Sequence, residues 1–169
     1  PSAAMLNATA AGVFVAVSAG NSGPTAGTIG TPAPWVTSVA ASTYNGTSAI
    51  IGKAIDVSSG PLVGTSLLSV PSVFSPATPG LSGELALAVP IEACNDNPLT
   101  NASDLNGKIA LIARGTCAFT EKFINAQNAG ATGVIIYTYD NTSPFAMSGE
   151  DPAITITGSM VSFADGQAL

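Results

Sequence analysis

The chain has 169 residues, of which 46% are hydrophobic and only 8% charged, with four Lys and Arg against ten Asp and Glu and no histidine at all. A net charge of −6 leaves little to neutralise phosphates or anionic headgroups, which argues against nucleic acid and membrane surfaces as partners. The longest apolar runs also stop well short of the roughly 18 residues that a spanning helix requires. Two cysteines and no histidine cannot supply the usual four zinc ligands, so no metal or other cofactor is expected. Eighteen Gly, twelve Pro and abundant Ser, Thr and Asn fit a β-rich, turn-dense secreted protein.

Residues 2–11 have the Ala, Leu and Met content of a short helix, which Gly12 stops. The run at 13–18 is β-branched and apolar enough to predict a strand buried on both faces, as in a parallel sheet flanked by helices, and a second such strand is predicted at 35–41. From Tyr44 onward, turn signals at Asn45-Gly46 and Ser59-Gly60-Pro61 separate short hairpin-forming strands. Pro71, Pro76 and Pro79 then punctuate a loop, and a strand is predicted over 84–91. The turn Asn106-Gly107 feeds a strand at 108–113. A helix follows over 119–129, with Phe119, Phe123, Ala126 and Ala129 on one face, and Gly130 stops it. A strand at 133–139 completes a parallel βαβ crossover. A last strand at 153–157 leads to Ser162-Phe163-Ala164-Asp165, a capping-box start of a final helix.

Cys94 and Cys117 both lie beside turn-like sequence, and a disulfide closing that loop is expected, with a pair of buried free thiols as the alternative. Glu121 and Lys122 are placed on the exposed face of the 119–129 helix, and Arg114 with Gly115 in a hydrogen-bonded turn at a strand end, with a contact role for these residues as the alternative. Asp96, Asp140, Glu150 and Asp151 lie in loops without the spacing of a calcium site. Four sequons occur, at Asn7, Asn45, Asn101 and Asn141, of which the first sits on a helix.

Two stretches carry family resemblances. Residues 13–24, VFVAVSAGNSGP, end a strand in a glycine-flanked Asn, and together with residues 34–43, PWVTSVAAST, the stretch resembles the oxyanion-hole segment of subtilisin-like serine proteases. The resemblance implies that Asn21 donates its carboxamide N–H to the oxyanion of a parent enzyme, and that Ser18, Ala19 and Gly20 wall its substrate pocket. A serine nucleophile in that family needs an imidazole base, so the catalytic triad is expected outside this chain, and calcium, which the parent could bind, is not indicated. Gly64-Thr65-Ser66 mimics the nucleophile motif, but Pro71 falls one residue too late after it, so it reads as part of a hairpin strand.

Further on, Cys94, residues 105–119 (LNGKIALIARGTCAF), Lys122 and residues 125–137 (NAQNAGATGVIIY) look like the protease-associated (PA) domain, with 154–156 and 162–169 as its closing strand and helix. That resemblance implies an α+β fold: a β-rich PA domain of sandwich or barrel-like sheets with flanking helices and one βαβ crossover, joined to a truncated α/β subtilisin segment. The expected organisation is 1–43 from a catalytic domain, 44–83 as connecting hairpins and loop, and 84–169 as the PA domain, the chain being a fragment whose signal peptide lay upstream. The function implied is that of an inactive piece of a secreted subtilisin-like endopeptidase, its PA domain serving protein contact or substrate access. Its partners are then polypeptide substrates and the rest of the catalytic domain, and residues 1–43 are open to self-association. The alternative is a non-catalytic PA-type binding module of a receptor or other secreted protein. A PA-bearing zinc aminopeptidase would need metal ligands that this stretch lacks.

Overall fold

A computed structural model describes residues 2–23, 25–40, 52–140 and 142–169, in two compact units that divide between Ser48 and Ala49. The turn at Asn45-Gly46 and the sequons at Asn45 and Asn141 lie outside the described residues.

In the first unit, helix α1 (Ser2–Ala10) is followed by strands β1 (Ala16–Ser18) and β2 (Thr37–Val39), which pair in parallel. The two predicted strands and their parallel sense are therefore present, each shorter than its apolar run. Their expected burial is not: Val13 is 55% exposed and Phe14 79%. A two-stranded ribbon and one short helix have too little surface to cover both faces of a strand. Thr9 ties the unit together by donating its hydroxyl to the Trp35 carbonyl.

The second unit is built on one six-stranded sheet in the order β3-β4-β8-β7-β6-β5. Strands β3 (Lys53–Asp56) and β4 (Ser66–Pro71) form an antiparallel hairpin, and β4 pairs antiparallel with β8 (Thr157–Val161). The remaining ladders, β8 to β7 (Gly133–Tyr137), β7 to β6 (Ile109–Ala113) and β6 to β5 (Leu85–Leu87), are all parallel. The architecture is thus a single mixed sheet with helices on its faces, in place of the expected sandwich or barrel. Helix α2 (Ala102–Leu105) precedes β6, and α3 (Phe119–Asn128) makes the predicted crossover from β6 to β7.

The inner strands are apolar on both faces because both faces are covered. Ala110, Ile112, Val134, Ile136 and Met160 point to the α3 side, where they pack with Phe123 and Ala126. Leu111, Ala113, Ile135, Tyr137 and Val161 point to the other side. There, helix α4 (Phe163–Ala168) lies so close that a Cβ on Gly166 would stand 2.1 Å from the Cβ of Tyr137. Ser162 caps α4 as its sequence predicts, accepting from the Asp165 N–H at 3.1 Å and donating to its carboxylate at 2.7 Å. Gly130 ends α3 in the left-handed region (φ +85°), where its N–H reaches the Gln127 carbonyl.

Two elements differ from expectation. The strand predicted at 153–157 runs instead over Thr157–Val161, and Ile154 packs into the core from irregular backbone. The position is fixed by Gly158, whose missing side chain leaves room for the Phe123 ring; a Cβ there would lie 2.4 Å from Cζ. The strand predicted at 84–91 is curtailed to Leu85–Leu87: Pro90 has no N–H with which to extend the ladder to β6, and a side chain takes over the outer edge. Asn101 donates Nδ2–H to the Leu87 carbonyl (2.8 Å) and accepts from the Val89 N–H (2.9 Å), as a neighbouring strand would.

Candidate functional site

Three groupings carry the polar chemistry. In the first unit, Gly20 turns the chain at the end of β1 in the left-handed region (φ +89°). Ala19 donates to the Val39 carbonyl and accepts from the Gly30 N–H, both at 3.0 Å, so the turn is anchored on two sides. Ser18, Gly20 and Asn21 stand exposed there and Ala19 is half-buried. The predicted site residues are thus contiguous at one strand end, with the Asn21 side chain at the surface.

The second grouping surrounds the Cys94–Cys117 disulfide, whose Cα atoms are 5.9 Å apart. It fastens the segment after β5 to the start of α3. The side chains of that helix are ties to the same segment, which corrects the exposed placement expected for Glu121 and Lys122. Lys122 is fully buried and donates from Nζ to the Glu92 carbonyl at 2.6 Å, with Nζ 3.6 Å from Cys94 Sγ. Asn125 donates to the Ala93 carbonyl (2.9 Å), and half-buried Glu121 accepts from the Asn95 N–H (2.6 Å). The Glu92 carboxylate in turn accepts from the N–H and hydroxyl of Thr116, at 3.1 and 3.2 Å. These bonds hold Ala93, a buried non-glycine residue at φ +51°, in a conformation that costs roughly 1–2 kcal/mol.

Burial pushes the Lys122 ammonium below its ordinary range, and the negative charges of Glu92, Glu121 and Asp96 partly restore it. Ligand atoms of Cys94, Cys117 and Glu121 come within 4.8 Å of one another, but the two sulfurs are bonded to each other and offer no thiolate.

The third grouping lies where β6 and β7 end. Arg114 continues the ladder by donating its N–H to the Tyr137 carbonyl (2.8 Å). Its guanidinium carbon sits 4.7 Å from the ring centroid of Tyr139 and 4.9 Å from that of Phe145. Phe145 is itself braced edge-on by Phe119, at 6.0 Å. Among the described residues no carboxylate pairs with the guanidinium, and Tyr139 is 56% exposed. Asp140 alongside is held below the usual carboxylate range, first by bonds from the Thr142 hydroxyl and N–H and to a lesser degree by Arg114. Sequence reading placed Arg114 in its turn but missed the rings, because Phe145 is 31 positions away and no local pattern couples the two.

A mixed sheet with a parallel core, a disulfide-pinned helix and an aromatic-stacked arginine at the strand ends define a small α/β module. The PA domain family model matches residues 81–169, and the chain belongs to that family. It is 34% identical to "Receptor homology region, transmembrane domain- and RING domain-containing protein 1" of Arabidopsis thaliana, a match taking in 63% of this chain and 37% of that protein. It is also 34% identical to subtilisin-like protease SBT1.6 of the same plant, over 74% of this chain and 16% of the protease. Among solved structures it resembles a zinc aminopeptidase from Bacillus subtilis, with a TM-score of 0.54 and 30% identity over 70% of this chain and 27% of that one. The chain therefore spans little more than a third of the plant receptor-homology protein and less of the others. No helix among the described residues is long and apolar enough to cross a membrane.

Proposed function

We propose that the PA unit is a non-catalytic module that contacts polypeptide through Arg114, Tyr139 and Phe145. The observation that carries this reading is the guanidinium pre-ordered between two ring faces, with its N–H edges left for an incoming carboxylate or carbonyl. Arg and Tyr in a rigid, partly dry setting are the residues that dominate protein contacts, since little side-chain freedom is lost when they are engaged. The similarity to a receptor homology region supports a contact role independent of any active site. The test is to select displayed peptides on the wild-type chain and remeasure them by calorimetry against Arg114→Ala and Arg114→Lys. Both variants should bind at least about tenfold more weakly, because lysine offers neither the stack nor the forked donors. Unchanged affinity in a folded Arg114→Ala protein would remove the patch from the contact surface.

A second reading concerns the parent protein, and a separate observation favours it. The chain is similar to the subtilisin-like protease over 74% of its length, and the turn after β1 presents Asn21 at the surface. On this reading Asn21 is an oxyanion donor and Ser18, Ala19 and Gly20 line the substrate pocket of a secreted endopeptidase. The triad is then supplied from outside this chain, and the disulfide suits an oxidising compartment. In the complete protease, Asn21→Ala should lower kcat by about 10² to 10³ with KM nearly unchanged, the loss seen on removal of such a donor from a subtilisin. A rise in KM at constant kcat would leave Asn21 as a turn residue only.

A further inference from the structure

The sheet face that α4 covers is left open toward the start of the strands, where a cleft of about 750 Å³ is floored by Ile55, Leu85, Ile109, Ile135 and Leu169. Both edge strands, β3 and β5, line this cleft. Val57 donates to the Thr65 carbonyl, so in the β3–β4 register the bonded positions are Val57, Ile55 and Lys53. The N–H and C=O groups of Ala54 and Asp56 therefore point away from β4. On β5, Glu84 accepts from Ile109 and Ala88 donates to Leu111, which turns the groups of Leu85 outward as well. Asn101 covers the same edge only from Leu87 onward. Among the described residues, no other chain segment satisfies these outward groups of Ala54, Asp56 and Leu85.

We propose that this cleft binds an extended polypeptide segment that pairs with the outer edge of β3, a site separate from the Arg114 patch. An apolar floor between two unpaired edges is matched by a strand: its backbone meets the edge, and every second side chain points to the floor. Its charge preference follows from the chain as a whole, whose net charge is −6; at the rim, exposed Asp56 and Lys53 offset each other and Glu84 is already paired with Lys108 at 3.3 Å. The occupant is a partner segment with alternating apolar residues and flanking Lys or Arg.

The probe is a fluorescein-labelled Lys-Val-Thr-Val-Thr-Val-Lys peptide, followed by anisotropy and by amide exchange of the full chain. Binding should slow exchange at Ala54 and Asp56. Ala54→Pro deletes only an outward N–H, a substitution an edge strand tolerates, and should weaken binding at least about tenfold while the melting curve stays close to wild type. N-methylation of the peptide at alternate residues tests the same pairing without touching the protein, and one of the two phases should abolish binding. Arg114→Ala should leave this peptide's affinity unchanged, so failure here and failure of the strand-end patch are separable. The proposal is overturned if the peptide does not bind at millimolar concentration or binds N-methylated forms equally. It is likewise overturned if sedimentation shows a dimer that Ala54→Pro dissolves, which would make the occupant a second copy of the chain.

Discussion

Replacing Lys122 with methionine removes a cation while keeping most of its aliphatic volume, which isolates what the ammonium does in the core. The carbonyl of half-buried Glu92 would lose a donor at 2.6 Å. Hydrogen bonds from charged donors contribute about 1.5–3 kcal/mol, and a buried acceptor left alone is costly in its own right. Against this stands the relief of desolvating an ammonium, which the lowered pKa of Lys122 records. We expect a net loss of about 2 kcal/mol near neutral pH, and a fall in Tm of several degrees. The linkage sign sharpens the test. The folded state holds the Lys122 proton less tightly than the unfolded state, whose ordinary value is 10.5. Between the depressed value and 10.5 the unfolded chain binds more protons, so the wild type gains stability as pH rises through that window, by no more than about 1.4 kcal/mol per pH unit for one proton. Below the window the advantage over Lys122→Met is constant. Urea unfolding followed by far-ultraviolet circular dichroism from pH 7 to 10.5 would measure both quantities. A methionine variant as stable as wild type at pH 7, or an advantage that shrinks with rising pH, would refute the assignment of Lys122 as a structural tie.

Removing the disulfide by a double Cys94→Ala, Cys117→Ala change should cost about 3 kcal/mol for a closure of 23 residues, and non-reducing mass analysis of the native chain should find no alkylated thiol. Gly158→Ala should destabilise by about 2 kcal/mol or more, since the new methyl meets the Phe123 ring at 2.4 Å and the Val134 carbonyl at 2.8 Å; a neutral result by thermal melting would mean that the ring moves freely. Asn101→Ala should cost about 1–2 kcal/mol by unbonding Leu87 and Val89, and should raise self-association in sedimentation by uncovering the β5 edge; Asn101→Asp should recover only the bond from Val89.

What could be read from the chain beforehand was whatever a local period encodes. Residues 109–113 and 133–137 are apolar without alternation, which signals strands covered on both faces, and the intervening Phe123 and Ala126 mark the helix that covers one of them. The Ser162 cap and the Gly130 stop are likewise written within four residues of the ends they define. Lys122 shows where that reading fails. Its helix position looked solvent-facing, yet its partner is a backbone carbonyl 30 residues earlier, and a lysine sequence carries no mark that distinguishes a buried ammonium from a solvated one. The same holds for Arg114 and Phe145, brought together only by the path of the loop after β7. In the first unit the strands were legible and their exposure was not, because periodicity reports what a strand would bury against, without saying whether enough surface is at hand to bury it.

The carboxamide of Asn101 stands in for a peptide group at the end of the sheet, and that substitution sets a clock on the chain. Asn101-Ala102-Ser103 is an acceptor sequence for a glycan, and the nitrogen that would carry the sugar is the one that donates to the Leu87 carbonyl. Once β5 has docked, one of that nitrogen's two hydrogens is held by the backbone of its own protein and the carboxamide is pinned, so a transferase meets it more readily on a chain that has not yet closed this edge. In a cell that glycosylates secreted proteins, sugar occupancy at Asn101 would therefore record how long β5 waits for its clasp.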